Sequence, residues 1–199
     1  MRAIAHRGCL TQYPENTLSA FRRASAVVEM IELDVRRCGS GELVVFHDET
    51  LDRVTDATGE VTEAAYDVLG AVSVLGSGES VPRLVDVFEA VPAGVGLNLE
   101  LKGRDVAADA VDIAEGYDHE VIVSSFYPGN VADARDAGAT SIAFLFHGDW
   151  DGVEDDGSDD DEDDESTRGD DEHETDFDVP AALDVAEELD CGYVHPDVR

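Results

Sequence analysis

Short apolar runs alternate along this chain with segments whose apolar residues recur at helical spacing. The runs fall at 3–5, 30–35, 43–47, 95–101, 121–126, 141–146 and 192–195, each of a length suited to a strand. Between the first two, 14–28 places Leu18, Phe21, Ala24 and Val28 on one helical face, with Asn16 or Thr17 as its cap. Helices are likewise predicted over 83–91, 106–115, 128–137 and 180–189. Strands that alternate with helices build βα units and a parallel sheet. Seven such strands in 199 residues predict an α/β fold, a (β/α)8 barrel of the TIM type truncated after strand 7. A complete barrel takes about 250 residues. A doubly wound open sheet is the rival, but the first strand leads into His6-Arg7-Gly8-Cys9 and not into a glycine-rich dinucleotide turn.

Residues 49–81, rich in Thr, Asp and Gly, are too many for a bare connection and read as a small insertion after strand 3. Residues 1–199 are otherwise expected to form a single barrel domain. Composition sets one more segment apart. Of the formal charge of −34, the stretch 149–178 holds −17, from 18 acidic residues and Arg168. With almost no apolar residues it reads as a disordered acidic loop. A calcium loop of the EF-hand type fails there, because Asp164 stands where the sharp turn needs glycine.

Such charge repels phosphate backbones and anionic lipid heads, so nucleic acid is not an expected partner. No apolar stretch approaches the roughly 18 residues of a transmembrane segment. The opening residues reach His6 and Arg7 before any apolar run, unlike a secretory leader. Cys9, Cys38 and Cys191 are an odd number without a close pair, as expected of a cytoplasmic protein. Twelve of the thirteen basic residues are Arg. Scarce lysine with acidic excess points to a halophilic-type protein, adapted to high salt, where screening weakens self-repulsion.

Reactive groups in a barrel sit where the strands end. The first strand ends at His6-Arg7 and the third at His47-Asp48. Residues two apart on a strand share a face, so Glu32 and Asp34 point together, as do Glu100 and Lys102. Three converging carboxylates either hold a hard cation, Mg²⁺ or Ca²⁺, or form buried ion pairs with Arg36, Arg37 or Lys102. Lys102, the sole lysine, favours the first reading as a compact charge for a phosphate. His6 and His47 at one mouth are suited to act as general acid and general base.

In order along the chain, His6-Arg7-Gly8, Pro14-Glu15-Asn16-Thr17, Glu32-Leu33-Asp34, His47-Asp48 and Glu100-Leu101-Lys102 resemble the glycerophosphodiester phosphodiesterases. The resemblance runs from Ala5 to Phe126 and more weakly to His195. It implies a (β/α)8 barrel with a small insertion. The implied activity is hydrolysis of a small-molecule glycerophosphodiester to glycerol phosphate and an alcohol, in phospholipid degradation, aided by a divalent cation. Position by position, it makes His6 and His47 the acid/base pair, in either order, and Glu32, Asp34 and Glu100 the metal ligands. Arg7 and Lys102 then contact phosphate, Glu15 and Asn16 hold the first loop, and Ser125 and Phe126 line the pocket. The family continues into an eighth strand bearing a Trp, whereas the single Trp here is Trp150. An open barrel wall completed by a partner or a second copy is therefore expected. Two other readings stand beside this one: a non-catalytic fragment or metal-binding module, and a related barrel phospholipase that cleaves sphingomyelin or phosphatidylinositol.

Overall fold

A computed structural model describes residues 3–146 and, as backbone path, 193–196. The acidic stretch, the helix expected at 180–189, and His147, Trp150 and His173 lie outside the described residues. The strands are β1 (Ile4–Ala5), β2 (Met30–Arg37), β3 (Leu43–Val45), β4 (Gly96–Leu101), β5 (Val121–Ser125), β6 (Ile142–Phe146) and β7 (Tyr193–Pro196). The helices are α1 (Leu18–Ala24), α2 (Tyr66–Leu69), α3 (Leu84–Ala90), α4 (Ala107–Glu115) and α5 (Pro128–Asp136).

The wall of the sheet runs β1-β2-β4-β5-β6-β7, each strand parallel to the one before it. That order follows the chain without reversal, as in a barrel wall, whereas a doubly wound sheet reverses at a switch point. The parallel barrel-wall arrangement therefore holds among the described residues, with one change in the make-up of the wall. The apolar run at 43–47 gives β3, which pairs antiparallel with the far end of β2, Val35 opposite Val45 and Arg37 opposite Leu43. The physical reason is the connection. Residues 38–42 suffice for a hairpin, while a parallel crossover needs a dozen residues or more. Six strands, not seven, thus form the wall among the described residues.

Alternation divides each wall strand. Ile31, Leu33 and Val35 join Leu97, Leu99, Leu101 and Val123 in one core, under Phe21 of α1, Leu84 and Phe88 of α3, Val111 of α4 and Val131 of α5. Burying each large side chain there contributes about 1.5–3 kcal/mol. The intervening positions, Glu32, Asp34, Glu100 and Lys102 among them, point to the opposite face. β3 repeats the division: Leu43 and Val45 enter this core. Val44 and Phe46 instead meet Leu51, Val54, Val61, Leu69 and Val74 in a second apolar cluster formed mainly by the segment after β3.

The first loop is fixed tightly. Gly8 has φ +76°, and a Cβ there would lie 2.9 Å from Ala20 Cβ, so the 3₁₀ turn His6–Gly8 seats directly on α1. Thr17 caps α1 by accepting from the Ala20 N–H. No helix among the described residues is long and apolar enough to cross a membrane.

Candidate active site

β2 and β4 lie in register with Asp34 opposite Glu100, and Glu32 stands two residues before Asp34 on the same face. All three carboxylates are buried, and one oxygen from each lies within 4.8 Å of the others. The expected alternation has therefore brought them together. Two cations stand against the group. Lys102 Nζ is 2.5 Å from Glu100 Oε1 and 3.8 Å from Asp34 Oδ1, and Arg7 Nε is 3.2 Å from Asp34 Oδ2. Of the ion-pair partners considered from the sequence, Lys102 pairs with Glu100, whereas the Arg36 Nε–H donates to the His47 carbonyl and Arg37 turns to Asp109.

Burial, then the charges of Asp34 and Glu100, push the Glu32 carboxyl well above its ordinary value. Burial likewise raises Glu100, against the pull of Lys102. At Asp34 burial is outweighed by Lys102, Arg7 and His47 and by the Asn16 Nδ2–H at 2.8 Å, and the carboxyl is held below its ordinary value.

Arg7 and Asn16 adopt left-handed backbone, φ 49° and 55°, uncommon for residues other than glycine. Several bonds hold them there. The Arg7 N–H donates to Glu32 Oε2 at 2.8 Å, its guanidinium to Glu15 Oε1 at 3.1 Å, and the Asn16 N–H to the Arg7 carbonyl. Burial disfavours charge on Arg7, but Asp34, Glu15 and Glu32 raise its pKa overall. Glu15 and Asn16 thus hold the first loop against the carboxylates.

His6 Nε2 lies 3.7 Å from Glu32 Oε2, with its side chain 58% exposed. His47 arrives by a different route from that expected. β2 runs past the carboxylates and the antiparallel β3 returns, with the Phe46 N–H donating to the Asp34 carbonyl, which sets His47 beside the group. Its Nδ1 is 2.6 Å from Asp48 Oδ1. Burial opposes ionisation of Asp48, but bonds from His47 and Arg53 hold its carboxyl well below the ordinary value. An ionised carboxylate only accepts, so Nδ1 carries a proton toward Asp48.

Lys102 Nζ sits 5.6 Å from the centre of the Phe126 ring, a cation–π distance that places Phe126 at the site. The Ser125 hydroxyl has another employment. It donates to the Leu101 carbonyl at 2.9 Å and accepts from the Tyr127 N–H and Asn130 Nδ2–H, bracing the end of β4. Arg53 was not singled out by its sequence context, although its guanidinium bonds both Glu15 and Asp48.

The donor set fits a hard divalent cation. Glu32 Oε1 is a buried oxygen without a hydrogen-bond donor, and Asp34 Oδ1 has only the Lys102 ammonium at 3.8 Å, costly for carboxylates that a cation would satisfy. All three donors are carboxylates, as Mg²⁺ and Ca²⁺ favour.

A parallel wall with charged groups gathered at the strands' C-terminal ends defines a barrel-type α/β protein with its site where such proteins carry theirs. Residues 6–150 match the Glycerophosphoryl diester phosphodiesterase family, and the chain belongs to it. It is 35% identical over 147 residues to a glycerophosphodiester phosphodiesterase of Caldanaerobacter subterraneus subsp. tengcongensis, covering 66% of this chain and 60% of that one. With its namesake from Bacillus altitudinis the identity is 33% over 154 residues, with the same shares, 66% and 60%. The chain therefore spans less than two thirds of these relatives' length. Its fold is similar to an Oleispira antarctica phosphodiesterase solved with the product sn-glycerol-3-phosphate, with TM-score 0.77, 22% identity, and coverage of 98% of this chain and 74% of that one. The corresponding values for the Thermotoga maritima glycerophosphodiester phosphodiesterase are 0.72, 24%, 98% and 74%.

Proposed function

We propose that the chain hydrolyses glycerophosphodiesters to glycerol phosphate and an alcohol, using a divalent cation, Mg²⁺ or Ca²⁺, held by Glu32, Asp34 and Glu100. The observation that carries this reading is the buried carboxylate group itself, flanked by Lys102, Arg7 and the two histidines. When bound, the cation supplies Lewis-acid stabilisation of the charge that grows on the phosphoryl oxygens.

The chain's own residues do the rest. Lys102 and Arg7 bring positive charge to a phosphodiester monoanion, with Phe126 shielding the ammonium on one side. His47, oriented through Nδ1 by Asp48, takes the proton of the attacking oxygen on Nε2. His6, more exposed, protonates the leaving alkoxide. Ser125 shapes the pocket by bracing β4. The family match supports a reading of this activity as part of phospholipid degradation, in a cytoplasmic protein.

Release of glycerol phosphate from glycerophosphocholine, with and without EDTA, tests the proposal. Turnover abolished by chelation and by His47→Ala supports it. A folded protein that binds the cation but turns over no glycerophosphodiester at any salt concentration is a metal-binding module instead.

A further inference from the structure

We infer that Arg53 is a positioning residue for His47, acting through a clamp on Glu15 and Asp48. The inference rests on the reading of His47 as proton acceptor. The Arg53 guanidinium donates to both oxygens of each carboxylate: Nη1 and Nη2 to Glu15 at 3.1 and 2.8 Å, Nε and Nη2 to Asp48 at 2.6 and 2.8 Å. Paired donation of this kind fixes the planes of its partners, which a lysine ammonium does not do. Asp48 in turn holds His47 Nδ1, and Glu15 holds Arg7.

The clamp joins three stretches of chain that are distant in sequence. Glu15 belongs to the loop after β1, Asp48 follows β3, and Arg53 lies in the segment beyond. Leu51 and Val54, on either side of Arg53, are buried in the second apolar cluster, so the guanidinium is aimed by packing even though its side chain is 45% exposed. That cluster is thereby tied to the orientation of one imidazole. Other groups act on His47 as well: Arg36 holds its backbone carbonyl, and Asp34 interacts with it through charge. Neither fixes the rotation of the ring, which Asp48 controls.

A purely structural Arg53 would pin the segment and leave the histidine's tautomer unchanged. The two roles separate in the ¹⁵N side-chain spectrum of the full chain labelled at histidine, a readout that needs no turnover. In the wild type His47 shows the Nδ1–H tautomer. In Arg53→Met the expected result is a mixture of tautomers and a kcat on glycerophosphocholine lower by about tenfold to a hundredfold, with divalent-cation affinity unchanged. Arg53→Lys recovers part of both effects. Glu15→Gln, which leaves Arg53 paired with Asp48, gives a smaller shift and serves if Arg53→Met does not fold. His47 signals that match the wild type in both variants overturn the inference whatever the turnover. Loss of the tautomer in a chain that has no wild-type turnover upholds the clamp and rejects the proposed activity.

Discussion

Glu32 and Asp34 stand two residues apart on one face of β2, share one cluster, and have their carboxyl pKa values moved in opposite directions. Both are buried, but Asp34 faces Lys102 and Arg7 and is held below its ordinary value, whereas Glu32, served by the Arg7 N–H, is raised well above its own. Ligation requires the ionised carboxylate, so binding of Mg²⁺ or Ca²⁺ at this group would release a proton. Calorimetry in two buffers of different ionisation enthalpy is expected to show proton release, with affinity rising as pH rises. Glu32→Gln weakens binding and reduces the pH dependence, leaving the part that Glu100 contributes, and Glu100→Gln weakens binding. Buffer-independent heats, or unchanged affinity in both variants, would contradict the ligand assignment.

The same shifts set a signature in the metal-free protein. The stabilisation linked to Glu32 and Glu100, both raised, is complete below their ordinary value of 4.5 and is lost as pH rises through their folded values. Asp34 and Asp48, both lowered, act oppositely. Their contribution is present above the ordinary 3.8 and fails as pH falls through the depressed values. Melting of wild type and Glu32→Gln side by side should therefore diverge above pH 4.5, with the variant gaining relative stability as pH increases. Added divalent cation restores the wild type. A constant difference between the two across that range contradicts the burial of an ionisable Glu32.

Asp48 has a role separable from charge alone. In Asp48→Asn the side-chain amide offers Nδ1 either a donor or an acceptor, so the tautomer is no longer dictated. Turnover should fall by roughly a hundredfold or more, comparable with loss of a general base, while cation affinity stays the same. Equal activity in wild type and Asp48→Asn would remove Asp48 from the account.

What the sequence made legible follows from period. On β2 and β4 the alternation of apolar and charged positions places Glu32, Asp34, Glu100 and Lys102 on one face, and their register then brings them together. β3 was less legible because an apolar run looks the same in a parallel or antiparallel strand; only the short link at 38–42 distinguishes them. Arg53 lies in a stretch without periodicity, and its bond to Glu15 spans 38 positions, so no local pattern announces it. The family resemblance puts Ser125 in the pocket, yet its hydroxyl, at the end of β5, is spent on the Leu101 carbonyl.

Half of the −34 charge lies outside 149–178, spread over the rest of the chain. Screening lowers the mutual repulsion of those carboxylates within a Debye length of about 10 Å at 0.1 M salt and about 3 Å at 1 M. The melting temperature is expected to rise from dilute buffer to molar KCl. A fall over that range would contradict salt adaptation of the surface.

The most direct measurement is release of glycerol phosphate from glycerophosphocholine by the purified chain, stripped of metal and then supplied with Mg²⁺ or Ca²⁺. The account predicts no turnover in the stripped protein, turnover on addition of one of these ions, and its loss in His47→Ala and Glu100→Gln. Turnover that persists in the stripped protein, or survives either substitution, would contradict it.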